Sequence, residues 1–159
     1  SITGYKLFQN QLAVNLLLPV FDFGSTPFVE LREEIWLLVF RRAAKERLPG
    51  LVFTFAPETT VRPSFVEETI DIVASAGSRV RFVELTCPKE ELLERIDAKS
   101  RRQSGKLASR LEFERLDAAG VFATSHMPKA EITVDTGSLK PEEAAEKIRK
   151  ELRLPRAKL

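Results

Sequence analysis

Four short apolar runs alternate with helical runs along this chain, and that alternation restricts the fold more than any other feature. The runs are Tyr5–Phe8, Leu51–Ala56, Arg79–Thr86 and Ile132–Val134, each followed by at least one segment of helical periodicity. Strands in that order predict an α/β domain, with a mostly parallel sheet covered by helices on both faces, the three-layer α/β/α arrangement. The helical segments carry their own signals. A helix around Leu12–Val20 is interrupted by Pro19. Thr26-Pro27 supplies a cap and a first-turn proline, and Phe28, Leu31, Ile35, Leu38 and Val39 then recur at helical spacing to about Leu48. Ser64–Glu67 reads as a capping box for a helix ended by Gly77. Helices are also predicted after Pro88, over about Ala108–Ala119, and over Pro141–Leu152.

With 159 residues, 43% of them hydrophobic, one domain with a sizeable core is expected over residues 1–159. A net charge of +2 gives no long-range pull toward nucleic acid or membrane, so neither is expected as a partner. Apolar runs such as Ile35–Phe40 are too short to span a bilayer. The single Cys87 has no intrachain partner, which suits a reducing cytoplasm. The terminal Ala157-Lys158-Leu159 only loosely resembles a peroxisomal address.

Three stretches give the chain a family look. RFVELTCPKEELLERI is a strand running into a helix that carries Arg95, KSRRQSGK is a basic segment, and ITVDTGSLKPEEAAEKI is a final strand, turn and closing helix. In this order they resemble the P-loop small-molecule kinases, the group of shikimate, gluconate and adenylate kinases and chloramphenicol phosphotransferases. Leu7–Ser25 and Leu51–Glu58 are similar to segments of shikimate-kinase-like proteins. The resemblance covers nearly the whole chain and implies an ATP-dependent phosphotransferase acting on a hydroxyl of a small metabolite, with ATP and Mg²⁺ as cofactors. A kinase-fold protein that only binds nucleotide or ligand, and a nucleotide kinase, are the alternatives.

The family's GxxxxGK[ST] phosphate loop does not occur in the sequence. Family strand order, 2-3-1-4-5, would put the strand that carries it between the strands at 51–56 and 79–86. The resemblance thus implies that a strand–loop–helix unit of roughly 25 residues or more belongs ahead of Ser1.

The resemblance also implies site residues. Phosphoryl transfer depends on cations that close over the phosphates. Arg95, Lys99, Arg101, Arg102, Lys106 and Arg110 fall in one span, with a lid expected at about 99–110 and Gly105 as its bend. Arg101, Arg102 and Lys106 would approach the transferring phosphoryl. Arg95, with Thr136, Gly137 and Ser138, would lie beside the nucleotide. Gln9 and Asn10 stand at the end of the first strand, where shikimate kinases carry aspartate, and glutamine cannot act as a base. Asp22 and Glu58 are the nearest acids; each could hold Mg²⁺ through water, orient a hydroxyl, or serve a turn or cap. No Walker B acid stands on the strand 51–56 itself. Arg32 corresponds to a carboxylate-gripping arginine, and it could equally be a surface arginine stacked on Trp36 or Phe28. The lone His126 builds neither a metal site nor a triad, and Cys87 could be activated at a helix start or simply packed.

Overall fold

The computed structural model describes residues 2–96, 109–123 and 127–157. Four strands and six helices alternate over them. They are β1 (Lys6–Gln9), α1 (Asn10–Leu17), α2 (Thr26–Lys45), β2 (Leu51–Thr54), α3 (Pro63–Ser75), β3 (Val83–Thr86), α4 (Lys89–Ile96), α5 (Arg110–Ala118), β4 (Ile132–Asp135) and α6 (Pro141–Glu151). The α/β class and the parallel strand pairing are as the alternation predicts. The expected strands at 79–86 and 51–56 are shorter than their apolar runs.

The strands form two parallel pairs rather than one continuous ladder. In the first, Lys6, Leu7, Phe8 and Gln9 lie opposite Leu51, Val52, Phe53 and Thr54. In the second, Val83 to Thr86 lie opposite Ile132 to Asp135. Among the described residues no ladder joins β2 to β3, the two strands expected to flank a further one. Phe82, just before β3, packs on the core beneath the first pair, so the two halves do touch.

The main core is aromatic. Phe8 and Phe53 project from one face of the first pair onto Trp36 and Phe40 of α2 and Phe65 of α3, with Ala13, Leu37, Val61 and Val66 filling between them. Ring centroids lie 5.0 Å apart for Phe40–Phe53, 5.3 Å for Trp36–Phe53 and 5.2 Å for Trp36–Phe65. Offset and edge-on contacts at this range add to the gain from burial. The opposite face is open: Leu7 is 56% exposed and Val52 40%. A parallel sheet is normally covered on both sides.

Three sequence expectations are corrected locally. The buried stripe of α2 is Phe28, Arg32, Glu33, Trp36, Leu37 and Phe40, while Leu38 is exposed. The large rings turn the helix, and the two charged residues can follow them inward because each finds a partner. Thr26 is the first residue of α2 rather than its cap; Ser25 takes that place without a side-chain bond. Likewise α3 begins at Pro63 behind Arg62, which leaves no capping box at Ser64.

Gly50 owes its identity to contact. A Cβ there would run into the ring of Tyr5, which packs against the backbone leading into β2. At the C-terminal end, α6 covers β4, burying Val134, Ala144 and Leu152. The tail returns along it: Glu146 accepts from Arg149 at 2.8 Å and from Arg156 at 2.8 Å, and Ala157 N–H donates to the Ile2 carbonyl at 2.9 Å.

Replacing Phe65 by Ala should lower stability by about 3–5 kcal/mol, read as a fall in the urea midpoint, because Trp36, Phe40 and Phe55 all lose a neighbour. Leu111→Ala, on an exposed side chain, should change it by less than about 0.5 kcal/mol. The bonds from Arg149 and Arg156 pull the Glu146 carboxyl down from 4.5 to about 2. Its folded value lies below its unfolded one, so the contribution is complete above pH 4.5 and is lost as pH falls through 2. A carboxyl-carbon NMR titration should place the Glu146 midpoint near 2, and Arg149→Ala should raise it.

Candidate functional site

Two neighbouring residues of α2 fix the segment that follows β2. Arg32 is 1% exposed and Glu33 is fully buried, an arrangement that is costly unless each charge is paired. Arg32 donates from Nη1 to Glu58 Oε2 at 3.4 Å and from Nη2 to Thr60 Oγ1 at 3.2 Å. Thr60 in turn donates to Glu58 Oε2 at 3.0 Å. The guanidinium lies 4.8 Å from the Trp36 ring and 5.6 Å from the Phe28 ring. These rings stand one turn after and one turn before it on the same helix. The stacking foreseen for Arg32 is therefore present with both rings, although the residue is buried and not on the surface.

Glu33 completes the attachment. Its carboxylate accepts from the Arg62 backbone N–H at 2.8 Å and from Arg62 Nε at 2.5 Å. That bond is also the main reason the Arg62 guanidinium is held above its usual range. Residues 58–62 are thus held to α2 at both ends. Within this arrangement Glu58 is asymmetric: Oε2 is bound by Arg32 and Thr60, its side chain is 13% exposed, and among the described residues no partner binds Oε1. The Nε of Arg32, Nε1 of Trp36 and Oγ of Ser25 are buried without a partner among the described residues.

A second cluster sits at the ends of β3 and β4. Arg95 of α4 donates from Nη1 to Thr136 Oγ1 at 3.1 Å, from Nη2 to the Thr136 carbonyl at 2.8 Å, and from Nε to Glu91 at 3.0 Å. Thr136 also ties the strands together, donating to the Thr86 carbonyl from its N–H at 2.7 Å and from Oγ1 at 2.9 Å. Gly137 N–H donates to Asp135 Oδ1 at 2.8 Å. A Cβ on Gly137 would come within 2.6 Å of Pro88 Cδ, so the turn can press against the start of α4 only as glycine. The edges of the Arg95 guanidinium are engaged while its side chain stays 41% exposed, which leaves a planar cation available for stacking.

Of the residues singled out from the sequence, the structure brings Arg32 together with Glu58, and Arg95 together with Thr136. Gln9 ends β1 and Asn10 begins α1, so both stand at the carboxyl end of the first strand pair. Asp22 is exposed in the turn before α2, where its carbonyl accepts from Ser25 N–H at 3.1 Å. Ser138 is exposed beyond β4. Arg101, Arg102, Lys106, Gly105 and His126 lie outside the described residues, as does the expected lid apart from Ser109 and Arg110, which cap and open α5. Among the described residues no three carboxylate, thiol or imidazole side chains gather around a point that could hold a metal ion, and no helix is long and apolar enough to cross a membrane. Sequence reasoning missed Glu33, Thr60 and Arg62. The cue was available only in part: Arg32 and Glu33 cannot both face solvent if Trp36 and Phe28 face the core.

No family model matches the chain, and no curated protein matches it. Among solved structures it is similar to the tunicamycin resistance protein of Deinococcus radiodurans, with a TM-score of 0.52 and 20% identity over 98% of this chain and 87% of that one. At this identity the likeness concerns the fold. It agrees with the P-loop kinase-like α/β arrangement expected from the sequence.

Glu33→Ala would leave the Arg62 N–H without its acceptor and should cost about 2–3 kcal/mol by urea denaturation. Gly137→Ala should cost about 1–3 kcal/mol, and the amide signal of Thr136 should shift with it as the turn moves off Pro88.

Proposed function

We propose that this chain belongs to an ATP-dependent phosphotransferase that acts on a hydroxyl of a small metabolite. The observation that carries the reading is the placement of the two polar clusters. Glu58, with Arg32 and Thr60, follows one parallel strand pair, and Arg95, with Thr136, follows the other. In open α/β sheets ligands sit outside the carboxyl ends of the strands, where the strand order changes direction. The break between β2 and β3 falls between the two clusters in chain order.

In this reading the Glu58 cluster faces the acceptor. Arg95 stacks on the base of the nucleotide beside the Thr136-Gly137 turn, and Arg101, Arg102 and Lys106 meet the phosphates. The described residues suit the base end of ATP, and they include no backbone cradle for a triphosphate. That cradle is assigned to a strand–loop–helix unit seated between β2 and β3. Two observations support the assignment: among the described residues β2 and β3 each have one edge without a ladder partner, and Val52 and Leu85 on these strands are exposed. Mg²⁺ would be carried chiefly on the nucleotide phosphates, as is usual for this ion. The resemblance to shikimate-kinase-like proteins points to a small-molecule acceptor.

A second reading has one observation in its favour. β1 ends in Gln9 and β2 in Thr54, with no carboxylate on either strand end, as in a kinase fold that binds nucleotide without transferring phosphate.

Calorimetry with ATP–Mg²⁺ on the complete polypeptide that contains this chain should show micromolar binding. ATP consumption across a panel of hydroxyl acceptors should rise with one of them, and Arg95→Ala should weaken nucleotide binding by about tenfold or more, the loss of one stacked charged contact. Binding without turnover for any acceptor would favour the second reading. No binding at all would contradict both.

A further inference from the structure

We propose that the site after β2 takes a neutral, hydroxyl-bearing acceptor through Glu58 and excludes carboxylates, because the one guanidinium buried there among the described residues is already neutralised from within. The inference deepens the phosphotransferase reading and rests on it for the identity of the ligand as an acceptor.

A guanidinium recognises a carboxylate through two adjacent N–H groups presented as a fork. Arg32 has no such fork to offer. Nη1 is directed at Glu58 and Nη2 at Thr60, its faces lie against Trp36 and Phe28, and 1% of the residue reaches solvent. Its Nε is buried without a partner among the described residues, and the second hydrogens of Nη1 and Nη2 belong to a side chain that solvent barely reaches. A carboxylate approaching this cation would share it with Glu58, and two like charges at one counter-ion repel. Arg32 is therefore a positioning residue here.

Glu58 is what it positions. One carboxylate oxygen is held by two donors, and the other, Oε1, has no partner among the described residues. An ionised carboxylate only accepts hydrogen bonds, so a ligand that meets Oε1 must bring a donor. For a phosphoryl acceptor that donor is the hydroxyl. Thr60 relays the orientation, since its Oγ accepts from Arg32 and donates to Glu58. A held oxygen beside an open one fixes where an incoming O–H must point, the kind of preorganisation that positions a reacting group.

The test uses the complete polypeptide and sodium acetate as a carboxylate probe, at constant ionic strength. Trp36 is the only tryptophan in this chain and lies against Arg32, so its fluorescence reports on the guanidinium. Where other tryptophans occur in the complete polypeptide, they are replaced by Phe. The wild type should show no saturable response to acetate. Glu58→Gln should free Arg32 and give a saturable response with an apparent Kd of about 1–10 mM, which the double variant Arg32→Met with Glu58→Gln should abolish. A saturable response in the wild type, or none in folded Glu58→Gln protein, would overturn the inference. If Glu58→Gln does not fold, Thr60→Ala serves in its place and should admit acetate weakly where the wild type does not; its silence would count against the proposal.

In turnover, hydroxy acids are compared with their primary amides. The amide should be preferred by about tenfold or more in kcat/KM, with the preference lost in Glu58→Gln, because a site left with an unmet polar partner discriminates strongly. Preference for the acid would overturn the inference. The acetate titration needs neither nucleotide nor turnover, so it gives its answer even if the phosphotransferase reading fails.

Discussion

The structure turns on two adjacent charges that α2 carries into the core. Arg32 and Glu33 would be expensive to bury singly, and each is matched by a group from the segment 58–62: Glu58 and Thr60 for one, the Arg62 backbone and side chain for the other. The pairing does more than compensate for burial. Thr59 within that segment donates its N–H to the Val121 carbonyl at 2.8 Å, so the segment held by α2 also reaches the end of α5. One short piece of chain links the first strand pair to the second half of the molecule.

The divided sheet follows a consistent physical pattern. Phe8 and Phe53 are covered by helices on one face, while Leu7 and Val52 on the other are open. Two-stranded sheets are marginal alone, and here each pair depends on its helices: α2 and α3 for the first, α6 for the second. Among the described residues β2 and β3 each have one edge without a ladder partner, beside the exposed Val52 and Leu85. The site clusters stand at the ends of the strands on either side of this division.

The sequence made the architecture legible and the site only partly so. Alternation of apolar runs and helical periodicity was enough for the element order, because both signals are local. The strand runs reach beyond the ladders, over Arg79–Phe82 before β3 and Phe55–Ala56 after β2, since local composition does not mark where ladder bonds start and stop. The inward face of α2 was misjudged by one position, because apolar periodicity cannot foresee that Arg32 and Glu33 find buried partners about thirty residues away. Arg95 and Thr136 came from a resemblance, and their contact from the structure. Glu58 could be named as a candidate acid, whereas the hold of Arg32 and Thr60 on one of its oxygens is a three-body arrangement that no spacing encodes.

Arg32 and Glu58 act as a coupled pair. A double-mutant cycle on stability, using Arg32→Met, Glu58→Gln and their combination, measures that coupling directly. The coupling should be favourable by about 1–3 kcal/mol, with the double variant more stable than the sum of the single losses implies. A coupling within about 0.3 kcal/mol of zero would contradict it.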